Sequence, residues 1–335
     1  MKLPEHCQHS GSAKNRSPGE VVELPARKLE EKPQRHRSNE PRVRNDAPRA
    51  GEKEKHSLAE VVELPAEKPE EKPQSHCSEE PHAPALKEIC QTEIVRSEKF
   101  LGCGTFGTCY LAHNRGCLVT VKEFKVREKL SLDDVKKEVL HEATMITYLG
   151  DHPCLPLLFG VVTRSLPLCL VTQFHGKKEQ SLTLSRAVRK KELGNQNWLE
   201  ILKGIIKGLD HTHKRGILHN DLKANNVVLE KRSEAWNPVI MDFGKARFIA
   251  NPKSNMSLSV SSQDVYRYPH IAPEIVSGKG RQSIESDIFS LGRIADVLDL
   301  LPMATAKSLK AANKACSVEP TKRPALIKLY AAFLE

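Results

Sequence analysis

His219-Asn220-Asp221-Leu222-Lys223-Ala224-Asn225-Asn226 decides the reading of this chain. One short loop carries a carboxylate, an ammonium and a side-chain amide between two apolar runs, Gly216 to Leu218 and Val227 to Leu229. Asp221 offers a proton acceptor, Lys223 a cation able to neutralise a phosphate, and Asn226 a neutral oxygen of the kind Mg²⁺ accepts. Downstream, the strand-like run Val239 to Met241 ends in Asp242-Phe243-Gly244. That places a second carboxylate, a natural Mg²⁺ ligand, at a strand terminus.

Upstream of this loop, Gly102-Cys103-Gly104-Thr105-Phe106-Gly107 lies within the β-rich run Lys99 to His113. Its glycines let backbone N–H groups approach phosphate oxygens, although a tight β-turn alone would also use them. A turn around Asn114 to Gly116 leads into the strand Leu118 to Phe124, which holds Lys122. Ser131 to Leu149 then reads as a helix, with Ser131 as N-cap and Asp134 as its capping-box partner. Val135, Val139, Ile146 and Leu149 form its apolar stripe, and Glu142 falls inside that stripe. A carboxylate on a buried face needs a cation, and Lys122 is the one expected to meet it. The apolar runs Leu155 to Val162 and Leu168 to Phe174 follow, and helical periodicity then dominates. Leu199, Leu202, Ile205, Ile206 and Leu209 mark one helix, and Ile288, Leu291, Ile294, Val297 and Leu298 another.

Taken in order, these motifs resemble the eukaryotic protein kinases, and the resemblance covers Glu98 to Glu335. The glycine-rich loop, Lys122 in Val119-Thr120-Val121-Lys122, the helix Glu142, the catalytic loop and Asp242-Phe243-Gly244 stand in the family's sequence. So do Ala272-Pro273-Glu274, Asp287 in the Ser286 to Gly292 run, and Arg323-Pro324. The resemblance implies an α+β, bilobal protein-kinase-like fold: a small β-rich N-lobe over about 94–175 and a mainly helical, shortened C-lobe over about 176–335. It also implies transfer of the γ-phosphoryl group of MgATP to a hydroxyl of a protein substrate. Asp221 would act on the acceptor hydroxyl, Lys223 would neutralise the transferring group, Lys122 would hold the α- and β-phosphates, and Glu142 would hold Lys122. Asn226 and Asp242 would bind Mg²⁺. Gly102, Gly104 and Gly107 would cover the phosphates; Leu101, Cys109, Thr120 and Val228 would line the adenine slot, with Thr172 at its back and Gln173 to His175 as the hinge. His219, Phe243, Ile146 and Leu158 would form an internal packed column, and Glu274 would pair with Arg323 as a structural ion pair.

The pattern also departs from the family. Asn220 stands where an arginine is usual, so no guanidinium there can pair with a phosphorylated activation loop. Lys223 is the residue type of Ser/Thr-directed members, but Arg267 replaces the Thr they place five residues before Ala272; the acceptor class leans to Ser/Thr. Only 61 residues follow Glu274, leaving room for one helix, roughly Thr305 to Ala315, before Arg323. A scaffold that keeps the fold without catalysis, a tyrosine-directed kinase and a small-molecule kinase remain the alternatives.

Composition separates this body from what precedes it. The 335-residue chain is 39% hydrophobic and has 9 Phe, 2 Trp and 5 Tyr, yet residues 1–95 contain none of these aromatics and 11 of the 21 prolines. Residues 1–93 are therefore expected to form a disordered tail. Within it, Glu20 to Pro41 recurs as Glu60 to Pro81 with 17 of 22 positions identical. The pair reads as a bivalent docking segment for a protein partner or as a duplicated spacer. Residues 1–95 carry 16 basic and 18 acidic side chains, which leaves 36 against 24 for the remainder. That basic body carries no recognisable nucleic-acid-binding module, so no specific nucleic acid is expected. Nine cysteines without regular spacing, no apolar leader and no long apolar run point to a reduced intracellular compartment, cytoplasmic or nuclear, with no transmembrane segment.

Overall fold

The computed structural model describes residues 85–104, 106–128, 130–193, 197–233, 235–252, 268–298 and 305–334. The duplicated segments at 20–41 and 60–81 lie outside the described residues, as do all five serines between Asp242 and Ala272.

Five strands make the first lobe: β1 (Ile94–Cys103), β2 (Gly107–Asn114), β3 (Cys117–Phe124), β4 (Leu158–Val162) and β5 (Cys169–Gln173). They form one antiparallel sheet in the order β1-β2-β3-β5-β4. Alternation along β3 divides its side chains between two environments. Val119 and Val121 join Ile89, Ala112, Val162, Cys169 and Val171 in an apolar cluster, whereas Thr120 and Lys122 line the cleft on the opposite face. The β2–β3 hairpin closes through Arg115 and Gly116, both with positive φ, as a two-residue turn matched to strand twist requires.

Helix α1 (Leu132–Leu149) forms as its sequence predicts. Ser131 Oγ accepts from the Asp134 N–H, and the Asp134 carboxylate accepts from the Ser131 N–H. Val135, Val139, Ile146 and Leu149 are buried, and Glu142 is buried among them.

Ordered packing begins ahead of Ile94, the residue at which the sequence places the start of the domain. Ile89 N–H donates to Val161 C=O at 2.8 Å, and Val161 N–H donates to Lys87 C=O at 2.9 Å, so this segment adds a parallel bridge to the outer edge of β4. Glu88 accepts from the Thr163 N–H and hydroxyl and from the Arg164 N–H. Burial alone would raise its carboxyl, but these bonds prevail and hold it below its ordinary value. Gly160 permits the close approach, because a Cβ there would lie 2.4 Å from Lys87 O.

The second lobe is mainly helical. Strand β6 (Leu182–Thr183) leads into α2 (Leu184–Lys190) and α3 (Asn197–Lys214), whose apolar stripe is buried. Strands β7 (Ile217–Leu218), β8 (Val227–Arg232), β9 (Ala235–Ile240) and β10 (Arg247–Phe248) form two small sheets flanking the loops that carry Asp221 and Asp242. Helices α4 (Pro273–Val276), α5 (Ile284–Val297), α6 (Ala306–Ala315) and α7 (Leu326–Ala332) complete it. Between α5 and Arg323, α6 with its Thr305 N-cap is the one α-helix among the described residues, which matches the shortened lobe read from sequence.

Two buried charges brace this lobe. Asp287 on α5 accepts from the backbone N–H of His219 at 2.8 Å and of Asn220 at 2.9 Å, and its Oδ2 lies 3.0 Å from His213 Nε2. Arg323 makes a two-pronged contact with Glu274 at 2.6 and 2.7 Å and also donates to the Glu285 and Ser317 carbonyls. Arg323→Ala would leave Glu274 without its cation and remove a donor from the Glu285, Ser317 and Val318 carbonyls. A loss of about 3–5 kcal/mol is expected, read as a lowered midpoint in chemical denaturation; an unchanged midpoint would show that the pair does not brace the lobe.

Candidate active site

A cleft of about 220 Å³ is lined by the sheet's inner face, the glycine turn, α1 and the loops carrying Asn226 and Asp242. Leu101, Gly102, Gly104, Gly107 and Cys109 from β1, β2 and their connection line it. So do Thr120 and Lys122 from β3, Thr172 from β5, then His175 and Val228. Gly107 sits so close to β3 that a Cβ would fall 2.2 Å from Glu123 O, so a larger residue would push the turn off the sheet. Cys109 is partly buried at the cleft wall, and burial pushes its thiol up to about 11. Gln173 departs from the expected set: it lies against a separate recess with Asp151 and Leu157 instead of the cleft. Its N–H donates to Leu157 C=O at 2.9 Å.

At the cleft's inner end, Lys122 Nζ lies 2.8 Å from Glu142 Oε2 and 2.9 Å from Asp242 Oδ1. One ammonium thus faces two carboxylates. Burial by itself would lower the Lys122 ammonium, but Glu142 and Asp242 reverse this and hold it above its ordinary value. Burial pushes the Glu142 carboxyl up; Lys122 draws it down, Asp242 pushes it up again, and it stays above the ordinary value. The cluster is one positive charge short. His141, next to Glu142, bonds Ala246 C=O through Nε2 at 2.9 Å, which ties α1 to the segment following Asp242.

Bonded to the cleft residue Asn226, Asp221 is 3% exposed and both its oxygens are engaged. Oδ2 accepts from Lys223 Nζ at 2.8 Å and Asn226 Nδ2 at 3.3 Å; Oδ1 accepts from Lys245 Nζ at 3.1 Å and His270 Nε2 at 3.2 Å. Burial would raise its carboxyl, but the His270 and Lys223 hydrogen bonds, with the charges of Lys245 and Lys223, hold it well below the usual carboxylate range. Asn226 also donates through Nδ2 to Asp221 C=O at 2.9 Å, which leaves its amide oxygen as its group for a cation. That oxygen and the Asp242 carboxylate are hard donors lining one cleft, the chemistry a Mg²⁺ site requires.

His219 and Phe243 are fully buried with ring centroids 4.7 Å apart, and Ile146 is buried in the same core. Leu158 packs against it from a partly buried position. Burial lowers the His219 imidazole, so it packs as a neutral ring. Asn220 adopts φ +63°, a backbone region asparagine tolerates better than most residues, and its Nδ2 donates to Lys245 C=O at 3.2 Å. The sequence reading did not include Lys245 or His270. Both reach Asp221 across 24 and 49 residues of chain, and no local periodicity marks them. Lys245 could have been suspected from its place beside Asp242-Phe243-Gly244.

Comparison with known proteins bears on the family. A family model described as protein kinase domain matches residues 95–321. The chain is 29% identical over 205 residues to cysteine-rich receptor-like protein kinase 10 of Oryza sativa subsp. japonica, covering 60% of this chain and 30% of that protein. It is 30% identical over 203 residues to serine/threonine-protein kinase SIK2 of Gallus gallus, covering 60% of this chain and 24% of that protein. Serine/threonine-protein kinase SIK1 of Mus musculus is 28% identical over 203 residues, with 60% and 24% covered. The chain thus spans less than a third of the length of these curated relatives. No helix among the described residues is long and apolar enough to cross a membrane. With a β-rich lobe, a helical lobe and a family model spanning most of both, the chain belongs to the protein kinase domain family.

Proposed function

We propose that this domain is a catalytically competent protein kinase that transfers the γ-phosphoryl group of MgATP to a Ser or Thr hydroxyl of a protein. The observation that carries the reading is the convergence, in one cleft, of the Lys122–Glu142–Asp242 cluster with Asn226, and of Asp221 with Lys223 beside them. ATP would supply the phosphoryl group, and the Mg²⁺ that accompanies it the positive charge that faces the two carboxylates of the inner cluster.

Each residue then has a physical task. Lys122, held by Glu142, positions the α- and β-phosphates; Asn226 and Asp242 hold Mg²⁺. Leu101, Cys109, Thr120, Thr172 and Val228 supply the walls of the adenine slot, and His175 borders it. The glycine turn offers N–H groups to phosphate oxygens. Asp221, ionised at neutral pH, receives the acceptor hydroxyl and its proton, while Lys223 turns from Asp221 to the transferring group. The lean to Ser or Thr rests on Lys223 and on relatives named serine/threonine kinases. Asn220 removes the arginine that would answer a phosphorylated loop, so activity is expected without that modification.

Radiolabelled γ-phosphate transfer from MgATP by the full chain, to itself and to a mixed protein substrate, tests this reading. Asp221→Asn should lower turnover by about 10²- to 10⁴-fold while nucleotide affinity stays within about threefold. Lys122→Met should weaken both nucleotide binding and turnover. Phosphoamino-acid analysis of the labelled product should show phosphoserine or phosphothreonine. Equal labelling by wild type and Asp221→Asn would refute Asp221 as the base, and absence of transfer by a chain that still binds MgATP would favour a nucleotide-binding scaffold.

A further inference from the structure

Asp221 has more partners than its task allows. A carboxylate offers about four lone-pair sites, and four donors occupy them: Lys223 and Asn226 on Oδ2, Lys245 and His270 on Oδ1. An acceptor hydroxyl can reach the carboxylate only if a donor leaves. Lys223 is the group drawn toward a phosphoryl oxygen, and it vacates Oδ2. On Oδ1 the two donors differ in how they are held. Lys245 has its side chain 46% exposed on a flexible four-carbon stem.

His270 is anchored. Its carbonyl accepts from Ser290 Oγ at 2.7 Å, and the preceding Pro269 carbonyl accepts from Arg293 Nε at 3.1 Å. Ser290 and Arg293 both lie on α5, the helix whose Asp287 also holds the backbone of His219 and Asn220. One rigid helix therefore fixes the loop that carries Asp221 and the segment that carries His270. Arg267, where Ser/Thr-directed members place threonine, lies three residues earlier and outside the described residues.

We propose that His270 is a positioning residue for Asp221: its Nε2–H is the fixed donor that keeps Oδ1 oriented while Lys223 and Lys245 exchange with substrate. Without it, the long Asn226 Nδ2 contact at 3.3 Å is the one side-chain donor left of the four when the lysines depart, the carboxylate turns about its terminal torsion, and the hydroxyl meets it misaligned. The inference rests on the kinase reading above and concerns orientation, so its cost falls on turnover and leaves nucleotide binding alone.

The test compares full-length wild type, His270→Ala and His270→Gln; the glutamine amide N–H reaches about as far as Nε2. His270→Ala should lower kcat on the order of 10- to 100-fold, with KM for MgATP and melting temperature unchanged. His270→Gln should recover most of the loss. Wild-type kcat in His270→Ala, no recovery in His270→Gln, or a parallel rise in KM for MgATP would overturn the proposal. A second readout does not depend on turnover or on the alanine variant folding: the His270 ring resonances, assigned by their disappearance in His270→Gln, should move in Asp221→Asn. Unmoved resonances would overturn the contact itself. Moved resonances in a wild type without turnover would uphold the contact and refute the kinase reading instead.

Discussion

The ammonium of Lys122 joins three parts of the chain that are far apart in sequence: strand β3, helix α1 through Glu142, and the loop of Asp242. Two carboxylates and one ammonium, taken out of water, are costly unless geometry and hydrogen bonding are good. Here Lys122 bonds both carboxylates, and the remaining deficit of one positive charge faces the cleft. Everything that places Glu142 inward serves this contact: the Ser131 cap that starts α1 in register, the buried Val139 and Ile146 on either side, and His141 bonded to Ala246.

The loop that carries Asp221 depends on the helical lobe in a parallel way. Asp287 is buried, and burial alone would raise its carboxyl; the hydrogen bonds from His213 and from the His219 backbone keep it below its ordinary value. As an anion it fixes two successive backbone N–H groups just before Asp221. Arg323 fixes Glu274 against the Glu285 carbonyl, and so ties the Ala272-Pro273-Glu274 segment to the same helix. The contacts that brace the residues around Asp221 run through α4, α5 and the turn at Arg323, and Arg323 also bonds the Ser317 carbonyl just past α6, so the single helix between α5 and that turn is part of the brace.

Much of this was legible before the fold was known, because the signals are local. Glu142 in an apolar stripe predicts a buried carboxylate, Ser131 with Asp134 predicts where α1 starts, and alternation in β3 predicts that Thr120 and Lys122 share a face. What the sequence hid lacks local signature. Ile89 is an isolated apolar residue in a polar stretch, and only the bonding of its segment to β4 shows why it is there. Gln173 is the last residue of β5, where alternation sets it opposite Thr172, at the recess beside Leu157. His270 sits in a stretch with no periodicity, and its relation to Asp221 exists only once α5 brings the two segments together.

The proposed function rests on the inner cluster, two carboxylates against one ammonium, taking up the Mg²⁺ that accompanies ATP. Calorimetric titration of the full chain with ATP, with and without Mg²⁺, beside Asp242→Asn, tests it most directly. The account predicts that Mg²⁺ strengthens ATP binding by about tenfold or more in the wild type and that Asp242→Asn removes most of this gain. Equal ATP affinity with and without Mg²⁺, or a full Mg²⁺ gain in Asp242→Asn, would contradict it.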